Sequence, residues 1–146
     1  LFILGRYLDD VRDQCQGLET IFEKAKCIAT FVSSVMGGSF KPERVNGISW
    51  LPPILKKMIE NDSVLFPLGH IEVGFFHHRA LLFKFLADSV NLPCTLVRNN
   101  WNRAYNEIYV QLRCRPEIQR YIIDLVFQPG SLYEVGTCEA QDYIKQ

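Results

Sequence analysis

The apolar residues of this 146-residue chain change their period halfway along, and that change restricts the fold more than any other feature. In the first half, Leu18, Ile21, Phe22, Ala25, Ile28, Ala29, Val32 and Met36 follow the i, i+3, i+4, i+7 spacing of one helical stripe, stopped by Gly37-Gly38. Glu19, Glu23, Lys24 and Lys26 fall on the other face, as expected of a core-facing helix with a solvated back. In the second half, Cys94 to Arg98 and Tyr105 to Leu112 are short segments rich in β-branched and aromatic residues. The polar turn Asn99-Asn100-Trp101-Asn102 separates them, which predicts an antiparallel hairpin. A third strand is expected over Tyr121 to Phe127, after the connector around Arg115-Pro116 and before Gln128-Pro129-Gly130. Helices first and strands after predict an α+β fold, with helices packed on a small antiparallel sheet.

Between the two halves, Phe40 to Ser49 reads as irregular, and Pro52-Pro53 opens a short helix through Ile59. Leu65 to Gly69 is expected to be a loop. Gly74 then provides a flexible turn into a second long helix from Phe76, with Ala80, Leu81, Phe83, Leu86 and Ala87 as its apolar run and Asn91-Leu92-Pro93 as its stop. From Glu134 onward the polar sequence reads as a tail ending in a short helix from Glu139 to Ile144. The length suits one domain over residues 1–146. The apolar start Leu1-Phe2-Ile3-Leu4, with no methionine, reads as a segment cut from a longer protein with neighbours on its N-terminal side.

Sixteen basic and sixteen acidic residues cancel, so no broad attraction to nucleic acid or to an anionic membrane is expected. With 48% hydrophobic and 22% charged residues the chain has the balance of an ordinary globular protein, and no apolar run approaches the length of a membrane span. The five cysteines, at 15, 27, 94, 114 and 138, lack zinc or thioredoxin spacing, and reduced thiols in an intracellular protein are the simplest reading. His77 and His78 are adjacent and point in different directions, while His70 lies in a separate loop, so neither a metal site nor a cofactor is expected.

The segment from Glu72 to Lys84 has the layout of a cysteine-peptidase nucleophile helix with no cysteine in it. A thiol in the first turn of a helix gains from the dipole and from free backbone N–H groups, both of which favour thiolate. That position here is Phe76, which has no ionisable proton and can be neither nucleophile nor metal ligand.

The run Gly74-x-Phe76-x-His78-Arg79-Ala80-Leu81-Leu82-Phe83-Lys84-x-Leu86-Ala87-Asp88, with Leu92-Pro93-Cys94-x-Leu96-Val97-Arg98, resembles a known family. This is the peptidase-like, transglutaminase-type domain found at the C-terminus of armadillo-repeat-containing protein 3 and in plant ethylene-response and disease-resistance kinases. The resemblance covers a core of about residues 17–133 and includes Arg103-Ala104-Tyr105-Asn106-Glu107, where the enzymes carry His-Ala-Trp-Asn, and Tyr121-Ile122-Ile123-Asp124-Leu125, where they carry the acidic member. It implies a papain-like or transglutaminase-like core. It also places the nucleophile on Phe76, the histidine on Arg103 and the aspartate on Asp124. An arginine cannot accept a proton from a thiol, so the resemblance implies the fold without the activity.

The function that this resemblance implies is that of a pseudoenzyme whose groove binds a protein or peptide without cutting it. Phe75, Phe76, His78, Trp101, Tyr105 and Asn106 are the candidate groove residues, and ordinary core packing is the alternative for each. Asp124 is expected to pair with Arg103 in a structural salt bridge, since the ancestral histidine and aspartate stood within hydrogen-bond reach. Arg79 and Lys84 are expected to be helix-surface or loop-anchoring charges. One rival is a thiol peptidase or acyltransferase using a displaced cysteine, with Cys94 the best candidate by type and mid-helix Cys27 inert. Another is an architectural domain docking to N-terminal armadillo repeats. The resemblance also implies an armadillo-repeat scaffold of male germ cells and cilia, in the cytoplasm, cilium or sperm flagellum.

Overall fold

The computed structural model describes residues 2–39, 76–98 and 104–145. Among these, α1 (Phe2–Cys15), α2 (Ile21–Val35) and α3 (Phe76–Ser89) precede β1 (Cys94–Arg98), β2 (Ala104–Gln111), β3 (Ile118–Ile123), β4 (Leu132–Glu134) and a final helix, α4 (Cys138–Lys145). The strands form one antiparallel sheet in the order β1-β2-β3-β4. The α+β layering expected from the change of period is what the chain adopts. The irregular stretch 40–49, the helix from Pro52 to Ile59 and the loop 65–69 lie outside the described residues.

The periodic stripe becomes α2. Thr20 caps it by accepting the Glu23 N–H on its hydroxyl at 3.1 Å, and Ala25, Ile28, Ala29 and Val32 are completely buried. Helix α3 begins at Phe76 and ends in a left-handed turn at Asn91, φ 58°, where the Leu92 N–H reaches back to the Ala87 carbonyl at 2.9 Å. This is the closing bond that a Schellman turn requires, and asparagine tolerates that conformation better than other residues with a Cβ.

Residue alternation sorts the sheet into two faces. Cys94, Ile108, Val110, Ile123 and Leu132 face inward, toward α1, α2 and α3, in one cluster with Leu4, Val11, Met36, Phe83 and Leu86. Val97, Tyr105, Ile122 and Tyr133 face outward, and α4 covers them with Ala140 and Tyr143.

Three differences from the sequence-based expectations have clear physical causes. Helix α1 is not foreseen by them, although Leu4, Val11 and Cys15 repeat on one face of it and are buried. The third strand runs over 118–123 instead of 121–127, because the apolar residues Leu125 and Val126 are buried in a turn and not in the sheet. Finally, the segment after Glu134 is no tail. Helix α4 forms within a residue of each expected bound, and its buried residues are part of a second core cluster.

Candidate functional site

Phe76 is the first residue of α3, where a nucleophile would gain most from the helix terminus. Its buried ring packs edge-on to Phe127 at 5.9 Å between centroids. Phe127 in turn meets Tyr143 at 6.1 Å, and Tyr143 meets Tyr133 at 5.4 Å. This aromatic series runs from the helix layer, past the end of β3, to the outer face of the sheet. It surrounds the start of α3 with two edge-to-face contacts and one tilted pair, each adding about 0.5–1.5 kcal/mol beyond area burial.

Asp124 lies immediately after β3 and is completely buried. One carboxylate oxygen accepts the N–H groups of Val126 at 2.8 Å and Phe127 at 3.0 Å. The other accepts the Gln128 N–H at 3.1 Å and the Tyr133 hydroxyl at 3.1 Å. Four donors match the acceptor capacity of a carboxylate, so Asp124 organises the turn from β3 to β4. The Asp124 charge and its own bond raise the Tyr133 phenol to about 12, with burial the larger cause. Arg103, the residue expected to pair with Asp124, lies outside the described residues, as do Phe75 and Trp101.

Arg79 is the functional surprise. It stands on the buried stripe of α3, three residues after Phe76 and four before Phe83, and is completely buried instead of lying on the helix surface. Its guanidinium donates to the carbonyls of Leu125 at 2.7 Å, Met36 at 2.9 Å and Gly38 at 2.6 Å, and to the Ser33 hydroxyl at 3.4 Å. The loop-anchoring role therefore holds, and what is anchored is the C-terminal end of α2 to the turn after Asp124. Burial pulls the Arg79 pKa down to about 10, while the Tyr143 hydroxyl and the Asp124 carboxylate hold it up, so it is charged at neutral pH. The carbonyl-rich end of α2 is a favourable place for that charge. An arginine within an otherwise apolar helical stripe was the sequence signal for this role.

Asn106 and Tyr105 are neighbours on β2 and point to opposite faces. Asn106 is completely buried beneath α3, donating to the Ala80 carbonyl at 3.0 Å and approaching the Cys94 sulfur at 3.7 Å. Tyr105 is buried on the outer face with Ile122, Ala140 and Tyr143. His78 is half-buried, and its pKa is lowered by burial and then by His77. The structure thus brings Phe76 and Tyr105 toward a common neighbour, Phe127, which packs against both clusters. Asn106 joins the helix layer instead.

The thiols differ in exposure, Cys15 and Cys94 being buried and Cys114 and Cys138 exposed. Burial pushes Cys94 up to about 11, against the opposing effects of Lys84 and Asn106. Lys84 itself bonds the Cys94 carbonyl at 2.7 Å and Asp88 at 2.8 Å, fastening β1 to α3. Cys27 sits half-buried in α2, its thiol 3.8 Å from the Gln14 amide oxygen. All five cysteines are free. Among the described residues no helix is long and apolar enough to cross a membrane.

Helices packed on a four-stranded antiparallel sheet, with a buried aspartate directly after β3, are compatible with a peptidase-like domain. The family model described as EDR1/CTR1/ARMC3, peptidase-like, matches residues 4–133, and the chain belongs to that family. It is 35% identical to human armadillo repeat-containing protein 3 over 144 residues, 94% of this chain and 16% of that protein. Two Arabidopsis thaliana proteins are also similar. Identity is 30% to the probable serine/threonine-protein kinase SIS8, over 83% of this chain and 12% of the kinase, and 33% to the serine/threonine-protein kinase CTR1, over 73% and 13%. The chain thus spans less than a fifth of the length of each of these relatives. No solved structure matches it.

Proposed function

We propose that this domain is a catalytically inactive peptidase-like module that binds a protein or peptide segment within an armadillo-repeat scaffold. The observation that carries the reading is Phe76, an aromatic ring locked into core packing at the helix terminus where the family's chemistry would need a thiolate. Arg103 at the histidine position and the saturated carboxylate of Asp124 support it. Against the displaced-cysteine alternative, a Cys94 thiol raised to about 11 is protonated at neutral pH and is a poor nucleophile.

A peptide-like, thiol-reactive electrophile followed by mass spectrometry tests this, using the native chain, the denatured chain and a Phe76→Cys, Arg103→His double variant. The expected result is labelling at position 76 of the variant well above the background reaction of the exposed Cys114 and Cys138, which is the same in both chains, with Cys94 unlabelled. Fast, site-selective labelling of native Cys94 would overturn the reading.

A second, architectural role has one favouring observation: Phe85 is exposed on α3. In it, the domain docks to N-terminal armadillo repeats of its own chain, and pull-downs with and without those repeats separate external from internal docking. By similarity to armadillo repeat-containing protein 3, the proposed setting is intracellular, in the cytoplasm, cilium or sperm flagellum.

A further inference from the structure

The outer face of the sheet is divided. At one end of β1, β2 and β3 it is polar: the hydroxyls of Thr95 and Tyr109 lie 3.0 Å apart, and Arg120 reaches Glu107 at 3.5 Å. The other half is apolar, built from Val97, Tyr105, Ile122 and Tyr133, and this is the part that α4 covers.

Helix α4 is held there chiefly through one side chain, Tyr143, whose ring meets Phe127 and Tyr133 and whose hydroxyl acts on Arg79. It has eight residues, of which Ala140 and Tyr143 are buried. These stand three apart and so share one face, with Ile144 packed beside them. A helix this short is marginal in water without tertiary contacts. It follows a tight turn in which Gly136 has φ 95°, and it starts at the Thr137 hydroxyl, which accepts the Ala140 N–H at 3.3 Å. The family model ends at residue 133, before α4 begins, so the family pattern includes the apolar face but not its cover. Through Phe127, the same tyrosine reaches the ring of Phe76.

We propose that the apolar half of the outer sheet face is a helix-docking surface occupied by α4 as a displaceable latch, and that its partner is an amphipathic helix presenting an aromatic residue three positions after a small one. The inference rests on the binding-module reading and deepens it by naming the surface and its competitor. A partner helix that reproduces the Ala140 and Tyr143 contacts takes the place of α4, and the released segment 135–145 swings away on its glycine turn.

Hydrogen exchange on the intact chain, read residue by residue, tests the latch without a variant. The amides of α4 are expected to exchange about tenfold or more faster than those of β2 and β3, as a locally opening unit does. A Tyr143→Ala variant should lose the protection of α4 and keep that of the sheet. The docking surface is probed with a fluorescent synthetic peptide of residues 137–146. It is expected to bind the Tyr143→Ala chain at least about tenfold more tightly than the native chain, whose own helix competes at high effective concentration. Protection of α4 equal to that of the sheet would overturn the proposal, as would loss of sheet protection in the variant. So would a peptide that binds neither chain or both equally. Electrophile labelling of Cys94 would remove the inactive-module reading and leave the latch standing, so the two failures are distinguishable.

Discussion

Removing the Arg79 guanidinium would strand three backbone carbonyls in the interior, those of Met36, Gly38 and Leu125, and leave Asp124 without its nearby positive charge. Arg79→Leu is therefore expected to cost about 3 kcal/mol or more, measured by denaturant unfolding, with Arg79→Lys recovering only part because an ammonium cannot span the same fork. His78 gives a prediction in pH. Its pKa in the folded chain lies below the ordinary 6.5, so between the two values the unfolded chain binds the proton that the folded chain refuses. Stability from this residue is present above pH 6.5 and is lost as pH falls through the folded value. Melting temperatures followed from pH 8 down to pH 5 should decline less steeply in His78→Gln than in the native chain. Cys94 acts in the opposite direction, since its thiol is raised from 9.0 to about 11. Its contribution is intact below pH 9 and fades toward pH 11, and a Cys94→Ala chain should lose that alkaline slope.

Among the elements, the helix ends and the turn after β3 place the site. Asn91 closes α3 in the left-handed conformation. Asn91→Gly is expected to be nearly neutral, whereas Asn91→Val should destabilise by about 1–2 kcal/mol, read from the unfolding midpoint. Gly130 has φ 95° and bonds the Asp124 carbonyl at 2.9 Å, and a Cβ there would stand 2.9 Å from the Lys26 side chain. Gly130→Ala should therefore loosen the turn that Asp124 organises, visible as faster exchange of the Val126, Phe127 and Gln128 amides. The same turn explains the misplaced third strand. An apolar run predicts burial, and in Leu125 and Val126 burial came without strand geometry because the Asp124 side chain captured the backbone donors.

Over the whole molecule, two layers enclose the sheet, and the cysteines report on their closure. Cys15 and Cys94 lie in the larger cluster, while Cys114 and Cys138 are exposed. A water-soluble thiol reagent at neutral pH should therefore modify Cys114 and Cys138 quickly and leave Cys15 and Cys94 unmodified until denaturant is added.

The class of fold is legible in the chain's residues alone, because hydrophobic period is a local property written in consecutive positions. The stripe of α2, the start of α3 at Phe76, the hairpin of β1 and β2, and the incompatibility of Phe76 and Arg103 with thiol chemistry were all legible there. Partnerships between residues far apart in the chain emerge only once the chain is folded. Arg79 reads as a helix-surface or loop-anchoring charge, and its burial is evident only when the end of α2 and the turn after Asp124 converge on it. Asn106 reads as a groove residue until strand alternation places it beneath α3. The segment after Glu134 reads as a polar tail because only Ala140 and Tyr143 of α4 are buried, and two buried positions in eight are too few for a period to stand out. Their burial depends on a sheet face assembled from β1, β2, β3 and β4, and no local pattern near residue 140 encodes that face.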